Sequence, residues 1–414
     1  MVTKPIDLFT MDDFNLYGKT VLVRVDINSP INPSTHTILD NSRFKAHMNT
    51  IKELSKSKVV ILAHQSRPGK NDFIGLANHA KMLTHVLDKQ VMYIDGLFDS
   101  RALRTIKQMK NGDVLLLENT RFYSEEVCLK NSSLEDLSKT HIVKKLSTVV
   151  DYYINDAFAA SHRSQPTLTG FATIIPCLLG RLMEKEVRML SKFLTMEDKP
   201  RLAILGGTKV DDSIFVSEHL LKNDRIDKIL VGGVVANIFL LAKGYDIGEK
   251  NTTFIKKEVE NYDELVKIVK TLLSNYGEKI VLPIDVCLNN NNKRDEISVE
   301  DLPTEHSIYD IGMGTIQKYM GEIEKAKSII VNGPVGVFEI PRFSIGTIEI
   351  LNAITESNAF KVVGGGHTIA AVSKLGIANK MDHISTGGGA LISFITGKEM
   401  PVISALKLSK KTFS

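Results

Sequence analysis

The feature that most limits the fold is a repeated series of short, apolar, β-branched runs. VLVRVDI (21–27), VVILAH (59–64), VMYI (91–94), VLLLEN (114–119) and VVDYYIND (149–156) form one series. RLAILGG (201–207), KILVGG (228–233), KIVLPID (279–285), SIIVNG (328–333) and FKVVGGG (360–366) form another. Most are continuously apolar instead of alternating, as a strand buried on both faces of a parallel sheet requires. The intervals between them are long enough for crossover helices, so the pattern predicts βαβ organisation twice. A chain of 414 residues exceeds one ordinary core, which agrees with two or more domains.

Between the series, GRLMEKEVRMLSKFL places Met183, Val187, Leu190 and Phe193 or Leu194 at helical spacing before the breaker stretch EDKPR. It predicts a joining helix. The expected division is a domain over 1–175, an interdomain helix and hinge over 176–198, a second domain over 199–392 and a terminal segment over 393–414. The fold class is α/β, with two Rossmann-like domains whose parallel sheets are flanked by helices. The Asn289–Glu296 tract reads as a solvated loop.

Hydrophobic residues make up 43 % and charged residues 24 %, and a net charge of +4 is too small to suggest a nucleic-acid partner. Cys128, Cys177 and Cys287 form no CxxC pair, so neither a disulfide framework nor a zinc site is indicated and a reducing compartment is expected. The segment MVTKPIDLFTMDD carries acids and a proline where a signal peptide needs an apolar run, and no stretch is long enough to span a bilayer. A cytoplasmic protein without a membrane partner is expected. Asn131-Ser132-Ser133 and Asn251-Thr252-Thr253 match the glycosylation pattern, and without a secretory signal they read as chance.

Only 6 of the 28 glycines precede residue 173. In the first half the strand ends carry side-chain donors instead: Arg24, Arg43, His64, Arg67, Arg121, His162 and Arg163. RVDINSP (24–30), AHQSRP (63–68), LLENTRF (116–122) and NDAFAASHRSQPT (155–167) each deliver such a group near a strand's carboxyl end, where ligands of open α/β sheets bind. Arginine forks suit carboxylate and phosphate oxygens, and several converging on one pocket are costly without an anion. A small, multiply charged acid is the expected ligand. Arg24, inside its strand pattern, reads as a structural ion pair, while Asp26 and Asn28 could reach a ligand hydroxyl.

In the second half LGGTKVDD (205–212), LVGGVVAN (230–237), VNGPVGVFE (331–339), VVGGGHT (362–368) and STGGGA (385–390) place glycines where strands end. Such turns let backbone N–H groups and helix amino termini approach an anion, although tight strand-to-helix packing explains some of them, Gly232 and Gly233 best. Gly18-Lys19-Thr20 is no P-loop, since Asp13 stands where its first glycine would be and a strand follows. No GxGxxG follows the first strand of either series, which disfavours a dinucleotide dehydrogenase.

Taken in order, RVDINSP, Arg43, AHQSRP, LLENTRF, NDAFAASHR, LGGTKV, NGPVGVFE and the glycine triplets resemble phosphoglycerate kinase along nearly the whole chain. The resemblance implies a two-domain, hinge-closing enzyme, monomeric, that moves a phosphoryl group between ATP with Mg²⁺ and the carboxylate of 3-phosphoglycerate, giving ADP and 1,3-bisphosphoglycerate. It assigns Asp26 and Asn28 to the acid's hydroxyl and carboxylate end, and His64, Arg67, Arg121 and Arg163 to its 3-phosphate. Arg43 is expected to face the migrating phosphoryl group, with Lys209, Gly365 and Gly388 as further catalytic positions. Gly206, Gly207, Lys209, Gly233, Asn332, Pro334, Glu339, Gly364, Gly365, Gly366, His367 and Thr368 are carried over to the nucleotide. It also suggests that the terminal segment packs back on the first domain.

Two departures from the usual motif, Ser213 for a second lysine and His367 for the aspartate of GGGDT, resemble the archaeal branch. Imidazole is a poor ligand for Mg²⁺, so His367 is expected to donate to phosphate, with the metal held by phosphate oxygens, water and Asp211 or Asp212. The alternatives are a two-domain protein that closes on a phosphorylated ligand without chemistry, and a similar kinase acting on another acid.

Overall fold

A computed structural model describes residues 7–130 and 132–414, so Asn131 of the first glycosylation pattern and the first six residues of the amino-terminal segment lie outside the described residues. Packing divides the chain into two units, one made of the residues up to Arg188 together with Glu399–Ser414, the other of Met189–Lys398.

The first unit is built on a six-stranded parallel sheet of order β3-β4-β2-β1-β5-β6. Its strands are β1 (Thr20–Arg24), β2 (Lys58–Leu62), β3 (Val91–Tyr93), β4 (Val114–Leu116), β5 (Tyr152–Asn155) and β6 (Cys177–Leu179). Every residue of β1 is buried, Arg24 at its end included, and β1 pairs with β2 on one side and β5 on the other. Val21, Val23, Val59, Ile61, Leu116, Ile154 and Leu178 share one core with Phe44 and Leu83 from the covering helices. Each such side chain contributes about 1.5–3 kcal/mol by leaving water. Because the chain leaves β1 to β2 on one side and to β5 on the other, the strand order reverses at β1, and a crevice opens beyond its carboxyl end.

Two helices frame the ends of this unit's sequence. Arg181–Thr195 buries Met183, Leu190 and Phe193, and its residues up to Arg188 belong to the first unit. Pro401–Phe413 buries Val402, Ala405, Leu406 and Ser409 at three-to-four spacing, and the Ser409 hydroxyl accepts from Cys177 N–H of β6 at 2.9 Å.

The second unit holds a parallel sheet of order β15-β14-β13-β7-β8-β9. The strands are β7 (Arg201–Leu205), β8 (Lys228–Val231), β9 (Ile280–Val281), β13 (Ser328–Asn332), β14 (Phe360–Gly364) and β15 (His383–Ile384). Here the order reverses between β7 and β13, whose last residues Leu205 and Asn332 are paired. A separate antiparallel sheet joins β10 (Asp285–Asn290), β11 (Lys293–Ser298) and β12 (Ser307–Ile311).

That small sheet corrects the expected loop over Asn289–Glu296. The tract is a hairpin whose turn residues Asn291 and Asn292 both take positive φ, 50° and 63°, a conformation asparagine tolerates and tight hairpins need. Strand β11 is polar and mostly solvent-facing, so no apolar run announced it. The run KIVLPID likewise divides into β9 and β10 around Leu282-Pro283-Ile284, where proline has no N–H to give. Among the described residues no helix is long and apolar enough to cross a membrane.

Candidate active site

Beyond β1, Asp26 is gripped from two sides. Its Oδ2 accepts from Arg43 Nη1 at 2.5 Å and its Oδ1 from Asn28 N–H at 3.1 Å. Burial alone would raise the Asp26 carboxyl, but the Arg43 charge leads the interactions that carry it down to about 2, so it stays ionised. Asn28 in turn accepts from Ser66 N–H at 2.9 Å, joining the loops that follow β1 and β2.

His64, just past β2, is 3 % exposed, and its Nδ1 accepts from Arg24 Nη2 at 3.1 Å. Burial first, then Arg24, hold the imidazole well below its ordinary 6.5, and Arg121 and Arg163 push the same way. The ring is therefore neutral, with Nδ1 occupied and Nε2–H left to donate. Arg121 donates to the Ser66 carbonyl. Its own pKa falls to about 10 through burial and then the charges of Arg163 and Arg24. The Arg163 guanidinium is lowered by burial and by Arg24, and its Nε lies 3.2 Å from His162 Nε2. Three guanidinium groups gathered around a neutral imidazole, with Arg24 lowering both Arg121 and Arg163, form a pocket whose charge an anion would relieve.

Arg24 is not the ion pair expected of it. It is 1 % exposed and donates to Thr167 Oγ1 at 3.1 Å, to the Val25 carbonyl at 2.5 Å and to His64, forming the floor of the pocket. Beneath it Glu126 accepts from Thr167 N–H at 3.0 Å and from the Thr167 hydroxyl. Arg67, by contrast, is exposed. Two buried amides went unread in the sequence. Gln65 bonds both Ser29 N–H and Ser29 O, and Asn119 bonds Gln65 N–H, Gln65 O, Ile74 O and Arg121 N–H. They lock together the loops that carry Asp26, His64 and Arg121.

In the second unit the glycines after β7, β8 and β13 pack main chain on main chain. Gly206 N–H donates to Asn332 O at 3.0 Å, Gly207 N–H to Pro334 O at 2.7 Å, Gly233 N–H to Val335 O at 2.8 Å and Gly333 N–H to Thr368 Oγ1 at 2.8 Å. A Cβ on Gly206 would stand 2.2 Å from Pro334 O, and one on Gly232 2.5 Å from Val335 Cβ. These turns use their N–H groups on one another, so glycine serves close packing there.

The amides with helix geometry to face an anion lie elsewhere. The helix Gly366–Lys374 opens after Gly365, at φ 81°, and its first intrahelical bond is Ile369 N–H to Gly365 O. The helix Gly388–Ile395 opens beside it, with a Cβ on Gly388 falling 3.6 Å from Gly365 Cα. First-turn N–H groups have no partner within their helix, and two such ends side by side add their dipoles. Exposed Lys209 stands at the amino-terminal boundary of the helix Val210–Lys222, its side chain making no capping bond. The buried Ser213 hydroxyl has no hydrogen-bond partner and replaces no cation. His367 Nδ1 lies 3.1 Å from Glu339 Oε1, with Phe338 edge-on to its ring. Among the described residues no cluster of three His, Cys, Asp or Glu could hold a metal. Burial, then Asp212 and Glu260, raise the Asp211 carboxyl beside Lys209, a site where a cation would be welcome.

Two parallel sheets, each with anion-attracting groups beyond its strand ends, place the chain among two-unit α/β proteins. A family model described as phosphoglycerate kinase matches residues 11–398. A phosphoglycerate kinase of Methanothermus fervidus is 52 % identical over 97 % of this chain and 98 % of its own, and one of Thermoplasma volcanium 51 % identical over 98 % and 99 %. The crystal structure of phosphoglycerate kinase from Pyrococcus horikoshii OT3 superposes with a TM-score of 0.90 at 45 % identity, covering 98 % of this chain and 100 % of that one. The chain belongs to the phosphoglycerate kinase family, and it is a phosphotransferase.

Proposed function

We propose that the chain catalyses reversible phosphoryl transfer between ATP and the carboxylate of 3-phosphoglycerate, giving ADP and 1,3-bisphosphoglycerate. The observation that carries this reading is the cluster of Arg24, Arg121 and Arg163 around neutral His64, with the Asp26–Arg43 pair at its edge. The guanidinium groups and His64 Nε2–H take the 3-phosphate, and Arg67 closes over it from the surface. Asp26 and Asn28 orient the hydroxyl and carboxylate end.

A carboxylate nucleophile is already ionised at neutral pH, so no general base is needed and catalysis rests on alignment and charge. Arg43 meets charge developing on the migrating phosphoryl group, and Lys209 with the helix amino termini at Gly365 and Gly388 meets the nucleotide phosphates. In this reading the acid and nucleotide groups belong to different units, so transfer requires closure that also keeps water from the acyl phosphate. Asp211 and Asp212 are the carboxylates that would hold a Mg²⁺ bound with the nucleotide, which would neutralise phosphate charge. His367 donates to phosphate through Nε2, its Nδ1 being held by Glu339. The enzyme works as a monomer in the cytoplasm.

The test is turnover with ATP, Mg²⁺ and 3-phosphoglycerate, with product coupled to NADH oxidation by a downstream dehydrogenase. Ligand binding without turnover would sink the reading.

A further inference from the structure

Four residues after Arg43, His47 points into the same loop from beneath. It is 1 % exposed and its Nδ1 lies 2.7 Å from Asp156 Oδ2, while Asp26 N–H donates to its Nε2 at 3.0 Å. The carboxylate can only accept, so Nδ1 carries the hydrogen, and Nε2 engages the Asp26 main chain, 3.0 Å from its nitrogen and 3.1 Å from its carbonyl oxygen. Arg43 therefore holds the side chain of Asp26 and His47 its main chain.

Asp156 follows β5 and is wholly buried. Its N–H donates to Arg24 O at 2.9 Å, which seats it at the reversal of strand order. Its other oxygen, Oδ1, accepts from Leu182 N–H at 2.9 Å and Met183 N–H at 3.3 Å, capping the first turn of the helix Arg181–Thr195. Gly180 makes room for it, since a Cβ there would stand 2.2 Å from Asp156 Oδ1. An unbroken line of short hydrogen bonds thus runs from Asp26 through His47 and Asp156 to a helix that continues past Arg188 into residues of the second unit.

We propose that His47 is a positioning residue that couples occupancy of the acid pocket to the start of the helix Arg181–Thr195. A ligand that draws on Asp26 shifts the main chain that His47 holds, and the shift passes through a rigid, desolvated carboxylate to the Leu182 and Met183 amides. The inference rests on the reading of the first unit as the acid site. Sequence alone could not find it, because His47 lies 109 residues from Asp156 and stands on no recognisable motif.

The experiment measures 3-phosphoglycerate binding by calorimetry and hydrogen exchange of the 181–190 segment, on the full chain, with and without the acid. In the unaltered protein the acid slows exchange at Leu182 and Met183 about tenfold. In His47→Gln, whose carboxamide can replace Nε2 but not Nδ1, acid binding weakens about tenfold and saturating acid no longer slows exchange. In His47→Asn, whose amide replaces Nδ1 but not Nε2, the Asp156 cap persists without ligand while the acid again leaves exchange unchanged. KM for ATP stays within twofold in both. Persistent slowing in either variant overturns the coupling, as does unaltered protein that binds the acid without slowing. Unaltered protein that binds no acid overturns the acid-site reading instead.

Discussion

At the carboxyl end of β1 the groups that gather are guanidinium side chains, one from β1 itself and others from segments after β4 and β5, whereas at the carboxyl end of β7 they are main-chain turns and helix amino termini. The first arrangement strains electrostatically, since the charge of Arg24 lowers the hold of both Arg121 and Arg163 on their protons, and buried Gln65 and Asn119 bonds keep the loops from spreading. The second strains sterically, with no room for a methyl group where Gly206 crosses Pro334. Side chains give selectivity for one acid's shape, while main chain gives attraction to any phosphate row. The two regions should therefore fail in different ways.

The largest failure expected is catalytic. Arg43→Ala should lower kcat about a thousandfold and leave KM for ATP within about threefold, because its partner is charge that develops during transfer. A steady-state titration in both substrates decides it, and a change in KM alone would remove Arg43 from that role.

Next comes a contrast in acid response. Burial carries the His79 imidazole from 6.5 to about 4, so the folded first unit binds fewer protons than the unfolded chain between those values. Acidifying through that window should remove about 3 kcal/mol of stability. Burial raises the Asp310 carboxyl of the second unit from 3.8 to about 6, so there stability should be lost as pH rises through that interval, by about 3 kcal/mol. Denaturant melts at pH 4 and 6.5 should give a flatter acid loss for His79→Gln and, for Asp310→Asn, a steeper one; equal slopes for both variants would contradict the assignment.

Gly206→Ala should raise KM for ATP about a hundredfold without altering acid affinity, since the methyl group would displace the Pro334 carbonyl. Arg163→Ala should weaken acid binding about tenfold and spare ATP, read by calorimetry with each ligand in turn. The smallest effect belongs to His367→Gln, whose amide can still donate to phosphate. The exposed pairing with Glu339 contributes at most about 1 kcal/mol, so KM for ATP should move no more than about fivefold.

Much of this comparison was legible in the chain itself. The apolar runs located the central strands because burial on both faces leaves only one kind of residue usable, and the shift in glycine usage marked which half relies on main chain. What stayed hidden depended on partners distant in sequence. Arg24 could not be separated from a surface ion pair until Thr167 and His64 stood beside it, and β11 showed no strand signal because its pairing with β10, not its composition, makes it one. The glycine turns after β7 and β13 suggested phosphate, yet their N–H groups are taken by Asn332 O, Pro334 O and Thr368. Only the folded chain reveals where a donor is already engaged.

The helix Pro401–Phe413 has a consequence for how the molecule is made. Its Ser409 completes the hydrogen bonding of the edge strand β6, and its Val402 and Leu406 are buried within the first unit. The second unit is one uninterrupted stretch of chain, Met189–Lys398, while the first needs residues that follow that stretch. During translation, then, the first unit must wait with an unfinished sheet edge until the whole second unit and the helix after it have emerged, and the second unit can reach its native state first.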